Sequence, residues 1–158
     1  MTRLTLLAPM LLLLAAAPAP APAPAAPVPM AVQPGTPLDA IARQLVAQDL
    51  REAAGRGEEP LVLSGTAKLG APNDRPAVFV QIQSLRECGS AGCNTQVYVW
   101  KRDQYVRVLD GVTGDVTVAA TRRKGMADLR AGSERYVWDG MKYGNVAPAP
   151  NVSLRPRQ

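Results

Sequence analysis

The chain of 158 residues contains no histidine. That removes the commonest general base, together with the usual serine and cysteine triads that need an imidazole to carry the proton. Only two cysteines are present, Cys88 and Cys93. With no further thiol and no imidazole, a structural zinc site of four nitrogen or sulfur ligands cannot be completed. Aromatics are scarce as well: one phenylalanine, Phe79, with two tryptophans and four tyrosines. Val, Leu, Ile and Ala must supply most of the packing. No apolar run reaches the roughly 20 residues of a membrane-spanning helix, since the longest, Leu4 to Ala17, is interrupted at Pro9. A stable transmembrane anchor is not expected.

What the N-terminus does have is a short positive region at Arg3, an apolar core "LTLLAPMLLLLAAA" and a run of small residues and prolines. These are the parts of a secretory signal peptide. Cleavage after Ala25 is preferred, because cuts after Ala17 or Ala23 would place proline immediately downstream. Residues 1–25 are thus read as signal peptide, and the protein as periplasmic or secreted. No cysteine stands near the junction to carry a lipid. Residues 26–35 continue the Ala/Pro character and read as an extended spacer. Residues 147–158, with Pro148, Pro150 and Pro156, read as a mobile tail. The "NVS" triplet at Asn151 is too short a motif to count as a glycosylation site.

Export bears on the cysteines. In "ECGSAGCNTQVYVW" they stand five positions apart, separated by small, flexible residues. Oxidising surroundings favour a disulfide between Cys88 and Cys93, closing a six-residue ring worth about 2 kcal/mol on the chain-entropy model. A redox or metal role is the remaining reading, although a thioredoxin-like centre wants two intervening residues rather than four.

The length left after the leader suits one domain, expected over residues 36–146. It opens at "TPLDAIARQLVAQDLREAAG", where Thr36 can cap and Pro37 suits the first helical position. Leu38, Ile41, Ala42, Leu45, Val46, Leu50 and Ala53 fall largely on one stripe. After Gly57 the pattern turns to strand-like runs: "LVLSGTAKL", "AVFVQIQSL", "TQVYVWK", "QYVRVLD", "DVTVAAT", "RYVW" and "MKYGNV". "VFVQIQ" alternates, giving one dry face and one wetter face. "VYVW" is apolar throughout and reads as a strand covered on both sides. Asp139-Gly140 between two strand runs is a hairpin signal. The expected fold is α+β: one N-terminal amphipathic helix packed on an antiparallel meander of about five to seven strands.

Charge is uneven, with five basic and six acidic side chains over residues 27–84 but twelve and seven over residues 85–158. Arg122, Arg123 and Lys124 follow the pattern "DVTVAAT" and should project from a sheet edge or loop. Such a cluster can attract an anionic envelope polymer or an acidic envelope protein, but a run of surface charge is more often only a solvated loop, and that reading stands ahead of it. Nucleic acid is not expected, because no aromatics are interleaved for stacking. Neither a cofactor nor a metal is implied. Among the carboxylates, Glu58 and Glu59 occupy a Gly-rich connector, while Asp128 and Asp139 stand in loops where turn chemistry explains them equally well.

The run "CGSAGCNTQVYVW", then "QYVRVLDG", "GMADL" and "YVWDGMKY", resembles a loosely defined group of small exported bacterial proteins of unassigned function, over roughly residues 60–143. That group shares a CG-x-x-GC turn and a C-terminal aromatic-DG-x-x-Tyr hairpin. The resemblance implies an exported β-rich domain and assigns no activity. Where the group carries an acidic, calcium-type loop, this chain reads "GAPNDRPAV". Asn73 and Asp74 remain, but Arg75 and Pro76 replace the further oxygen ligands that Ca2+ requires. Two function classes follow: a noncatalytic periplasmic binding or envelope-associated module, or a small histidine-free envelope hydrolase. A pocket gathering Asp128, Asp139 and Tyr143 would favour the hydrolase.

Overall fold

A computed structural model describes residues 25–70, 74–90 and 92–146. The signal peptide and the tail read from the sequence lie outside the described residues, apart from Ala25. No helix among the described residues is long and apolar enough to cross a membrane.

The expected α+β meander is overturned. The described residues form ten strands in two sheets of five, with only two short helices. Helix α1 (Pro37–Leu45) begins as its sequence dictates: the Thr36 Oγ1 accepts from the Asp39 N–H at 3.1 Å, and Pro37 occupies the first turn. At Val46 the backbone leaves the helical region (φ −106°, ψ 21°), so the single apolar stripe is divided between α1 and α2 (Ala47–Gly55). Val46 itself is buried against the sheet with Ala42.

One sheet lies under these helices. Its strands are β2 (Leu61–Ala67), β3 (Ala77–Gln83), β5 (Gly92–Lys101) and β6 (Gln104–Thr113), with the two-residue β4 (Cys88–Gly89) turned back on β5. Period-two alternation sorts its side chains: Val78, Val80, Ile82 and Tyr98 meet the helices, whereas Ala77, Phe79, Val97 and Val99 point to the opposite face. Strand β5 is therefore covered on both sides, as the unbroken apolar run "VYVW" implied; β3 is as well, against the wetter face expected of "VFVQIQ", because Phe79 and Gln81 are buried under the outer part of the fold. Arg102 and Asp103 join β5 to β6 with both φ values positive, the two-residue type I′ geometry that matches strand twist.

The meander ends after Thr113, where the chain turns through Gly114 and enters a second sheet, and this change of sheet is why a single-meander reading fails. The outer sheet contains β1 (Ala26–Pro27), β7 (Val116–Arg123), β8 (Met126–Ala131), β9 (Glu134–Trp138) and β10 (Tyr143–Val146), in the order β1-β7-β8-β9-β10. The main core is drawn from both sheets and contains Phe79, Val97, Val112, Leu129 and Trp138, among others. Burying each such side chain is worth about 1.5–3 kcal/mol. The layers run helices, inner sheet, outer sheet.

Part of the stretch read as spacer is woven into this sandwich. Ala26 and Pro27 pair with Val118 and Thr117, and the Val28 N–H donates to Val116 O at 2.9 Å. Three residues on, Ala31 exchanges both backbone bonds with Ser64 of β2, at 3.1 and 2.9 Å. Residues 26–31 thus cross from the outer sheet to the inner one and close their shared edge. Proline is tolerated there because an edge strand leaves some N–H positions unpaired. The crossing depends on Gly65: a Cβ at that position would collide with the Pro29 carbonyl oxygen and lie 2.9 Å from Met30 Sδ.

Candidate functional site

Cys88 and Cys93 are disulfide-bonded. They stand directly opposite each other in the β4–β5 pair, so the bond staples one hairpin.

The basic cluster lies on the β7–β8 hairpin, but not where the strand pattern placed it. Strand β7 runs on through Arg123, and the turn is made by Lys124 and Gly125, both at positive φ. The three cations then part company. Arg122 Nη1 donates to the carbonyls of Leu69 (2.9 Å), Gly70 (3.0 Å) and Gly125 (3.4 Å), so it fastens the loop after β2 to the hairpin. Arg123 is exposed. Lys124 leans across to β9–β10, where its ammonium donates to the Asp139 carbonyl and its chain rests against Gly140.

Lys124 belongs to a groove of about 560 Å³ at this end of the sandwich. Buried Leu69, Ala77, Val99 and Trp138, with half-buried Met126, give it an apolar floor. Charged and aromatic side chains surround that floor: Asp74, Arg75, Trp100, Lys101 and Lys124. Two contacts order them. The Arg75 guanidinium lies 4.1 Å from the centre of the Trp100 ring, and Lys101 Nζ lies 4.5 Å from that of Trp138. Such cation–π contacts hold the positive groups against the ring faces. Lys101 Nζ also donates to Met141 O at 3.4 Å. The Asp74 carboxylate lies over Gly70, where a Cβ would collide with it. Three cations against one carboxylate leave the groove positive.

The β9–β10 loop that receives both lysines is itself tied down. Asp139 Oδ1 accepts from the N–H groups of Met141 (2.6 Å) and Lys142 (2.8 Å). These two bonds, the Lys142 one first, hold its carboxyl below the ordinary aspartate range.

The carboxylates singled out from the sequence do not converge. Asp128 is 1% exposed, on β8, where its Oδ2 accepts from Thr121 Oγ1 at 2.5 Å and from Arg135 Nη2 at 2.6 Å. It sits opposite an irregularity in β7, where the register jumps from Val118↔Leu129 to Arg122↔Ala127. Asp139 makes its turn, and Tyr143 is buried with its hydroxyl donating to Ala127 O at 2.7 Å. Burial raises the Tyr143 phenol, with Asp128 adding to the effect. Glu58 pairs with Arg56 at 2.8 Å in the connector after α2, and that hydrogen bond lowers its carboxyl.

Sequence reasoning missed Arg75, Trp100, Lys101 and Trp138 as site residues. Trp100 and Trp138 read as the ends of apolar strands, and nothing local says that β5 and β9 finish at the same end of opposed sheets. Of the calcium-type loop, Asn73 lies outside the described residues and Asp74 lines the groove. Comparison with protein-family models, curated proteins and solved structures found no match to this chain.

Proposed function

We propose that this protein is a noncatalytic binding module of the periplasm or envelope that holds an anionic partner at the groove between β5, the β7–β8 turn and the β9–β10 loop. The observation that carries this reading is the convergence of Arg75, Lys101 and Lys124 around an apolar floor, from the β2–β3 loop, the end of β5 and the β7–β8 turn. Building such a site takes both sheets. A solvated face would not need to hold its ammonium groups on loop carbonyls and indole rings. The signal-like N-terminus, the disulfide and the resemblance to small exported proteins support export.

The structure alters which of the basic residues should matter. Arg122 serves the fold and Lys124 the groove, so the contact set becomes Arg75, Lys101 and Lys124, with Arg123 beside them. Binding to an envelope fraction tests this. The wild type should be retained at low salt and released as salt rises, because exposed charges are screened over about 10 Å at 0.1 M ionic strength. Glutamate at positions 75, 101 and 124 should abolish retention. Retention that ignores both salt and charge reversal would count against the proposal.

A further inference from the structure

We infer, resting on the binding role assigned to the same groove, that the partner is the surface of an anionic lipid bilayer, with Met141 as the residue that enters it. Met141 stands in the β9–β10 loop at the mouth of the groove and is 79% exposed. Its backbone is already satisfied: the N–H donates to Asp139 Oδ1 at 2.6 Å, and the carbonyl accepts from Lys101 Nζ at 3.4 Å. Taking this residue out of water strands neither backbone group, so only the flexible thioether side chain is transferred. Cations stand around it. Lys101 and Lys124 are fixed on carbonyls of the same loop, and exposed Arg102 and Arg123 adjoin them in the β5–β6 turn and at the end of β7. Half-buried Trp100 lies beside them, and tryptophan is a residue type favoured at the headgroup level of bilayers.

The pairing of an apolar side chain with a positive surround discriminates among partners. A polymer of repeating charges would engage the cations and leave Met141 in water. A neutral apolar surface would take Met141 but desolvate the cations with no counter-charge. An anionic bilayer presents negative headgroups at the level of the cations and hydrocarbon beyond them, which matches both. Exposure alone does not make such a site. Leu85 is 99% exposed, yet it lies beside Glu58 and Arg86, which pair at 3.9 Å, so the charge around it is mixed.

Vesicle flotation of the processed chain, Ala26 to Gln158, tests this. That chain keeps every described strand and helix and leaves out the apolar stretch of residues 4–17, which would itself enter a bilayer. Vesicles of phosphatidylglycerol mixed with phosphatidylcholine should bind it at least roughly tenfold more tightly than phosphatidylcholine alone. Met141→Gln should weaken that binding about tenfold, the scale of burying one side chain of this size, and should melt like the parent because the position is exposed. Leu85→Gln should leave binding unchanged. Replacing Lys101 and Lys124 together by glutamine should weaken binding both to the anionic vesicles and to poly-L-glutamate, the soluble polyanion run in parallel. Equal affinity for the two kinds of vesicle would overturn the inference, and so would a Met141→Gln variant that binds like the parent or loses no more than Leu85→Gln. Poly-L-glutamate binding that depends on Lys101 and Lys124, without vesicle binding, would overturn the bilayer as partner while leaving the binding role standing. Binding to neither would overturn both.

Discussion

Lys101 of β5 and Lys124 of the β7–β8 turn end on the same short loop: Lys101 donates to the carbonyl of Met141 and Lys124 to that of Asp139. The inner and outer sheets are thereby linked at the mouth of the groove through Asp139–Lys142. The shape of that loop should control the positions of both ammonium groups.

The loop's own anchor gives a pH prediction. Asp139 is held below its ordinary value by the Lys142 and Met141 N–H groups. A depressed carboxylate contributes order that is complete above its unfolded value, near 3.8, and lost as pH falls through the lower, folded one. The turn should therefore be intact at neutral pH and loosen only in strong acid. Following the Lys142 amide resonance on acidification checks this. Asp139→Asn should flatten the titration, whereas a midpoint above the ordinary aspartate value would show that the carboxylate is not anchored.

Adjacent arginines should behave differently. Arg122→Ala removes the donor shared by three carbonyls and should cost about 1.5–3 kcal/mol, the range for hydrogen bonds to charged groups. Arg123→Ala should change stability by about 0.5 kcal/mol or less, as exposed substitutions do. Denaturant melts of the two variants, run side by side, separate these cases. Equal costs would contradict the fastening role of Arg122.

Replacing both cysteines by alanine should lower stability by about 2 kcal/mol and leave the fold intact, because the ring they close is short. Thiol labelling of the wild type without reductant should fail. Full alkylation of protein isolated without reductant would contradict the bonded state.

Gly65→Ala should destabilise by about 1–3 kcal/mol, the overpacking range, because the obstacle is the Pro29 backbone rather than a movable side chain. Removing residues 26–30 from the Gly65→Ala variant should relieve the clash but expose the sheet edge. If Gly65→Ala melts like the wild type, the crossing segment does not press on β2.

Elements carried by local pattern were legible in the sequence. The Thr36 cap, the apolar helical stripe, the double-sided "VYVW" strand and the Asp139-Gly140 turn all follow from short-range chemistry, and so did the disulfide once export was inferred. The division into two sheets was not, because Gly114 looks like any other turn glycine and only long-range pairing shows that β6 and β7 part. Strand β8 was hidden in "MADLRA", where Ala127, Leu129 and Ala131 alternate with Met126, Asp128 and Arg130 too modestly to stand out. Residues 26–31 were read as spacer because proline-rich sequence carries no apolar period, yet Val28 is buried and its neighbours pair with both sheets. The groove was the least legible feature, since its cations come from one loop, one strand end and one turn remote from each other in sequence.

The central claim, that this groove is the binding surface for an anionic partner, is tested most directly by mapping a titration with a short glutamate oligomer onto the protein by nuclear magnetic resonance. The indole N–H signals of Trp100 and Trp138 and the amides of residues 139–141 should shift together and saturably. Lys124→Gln should weaken the response at all of them. Shifts confined to another face, or none at these positions at saturating ligand, would contradict the account.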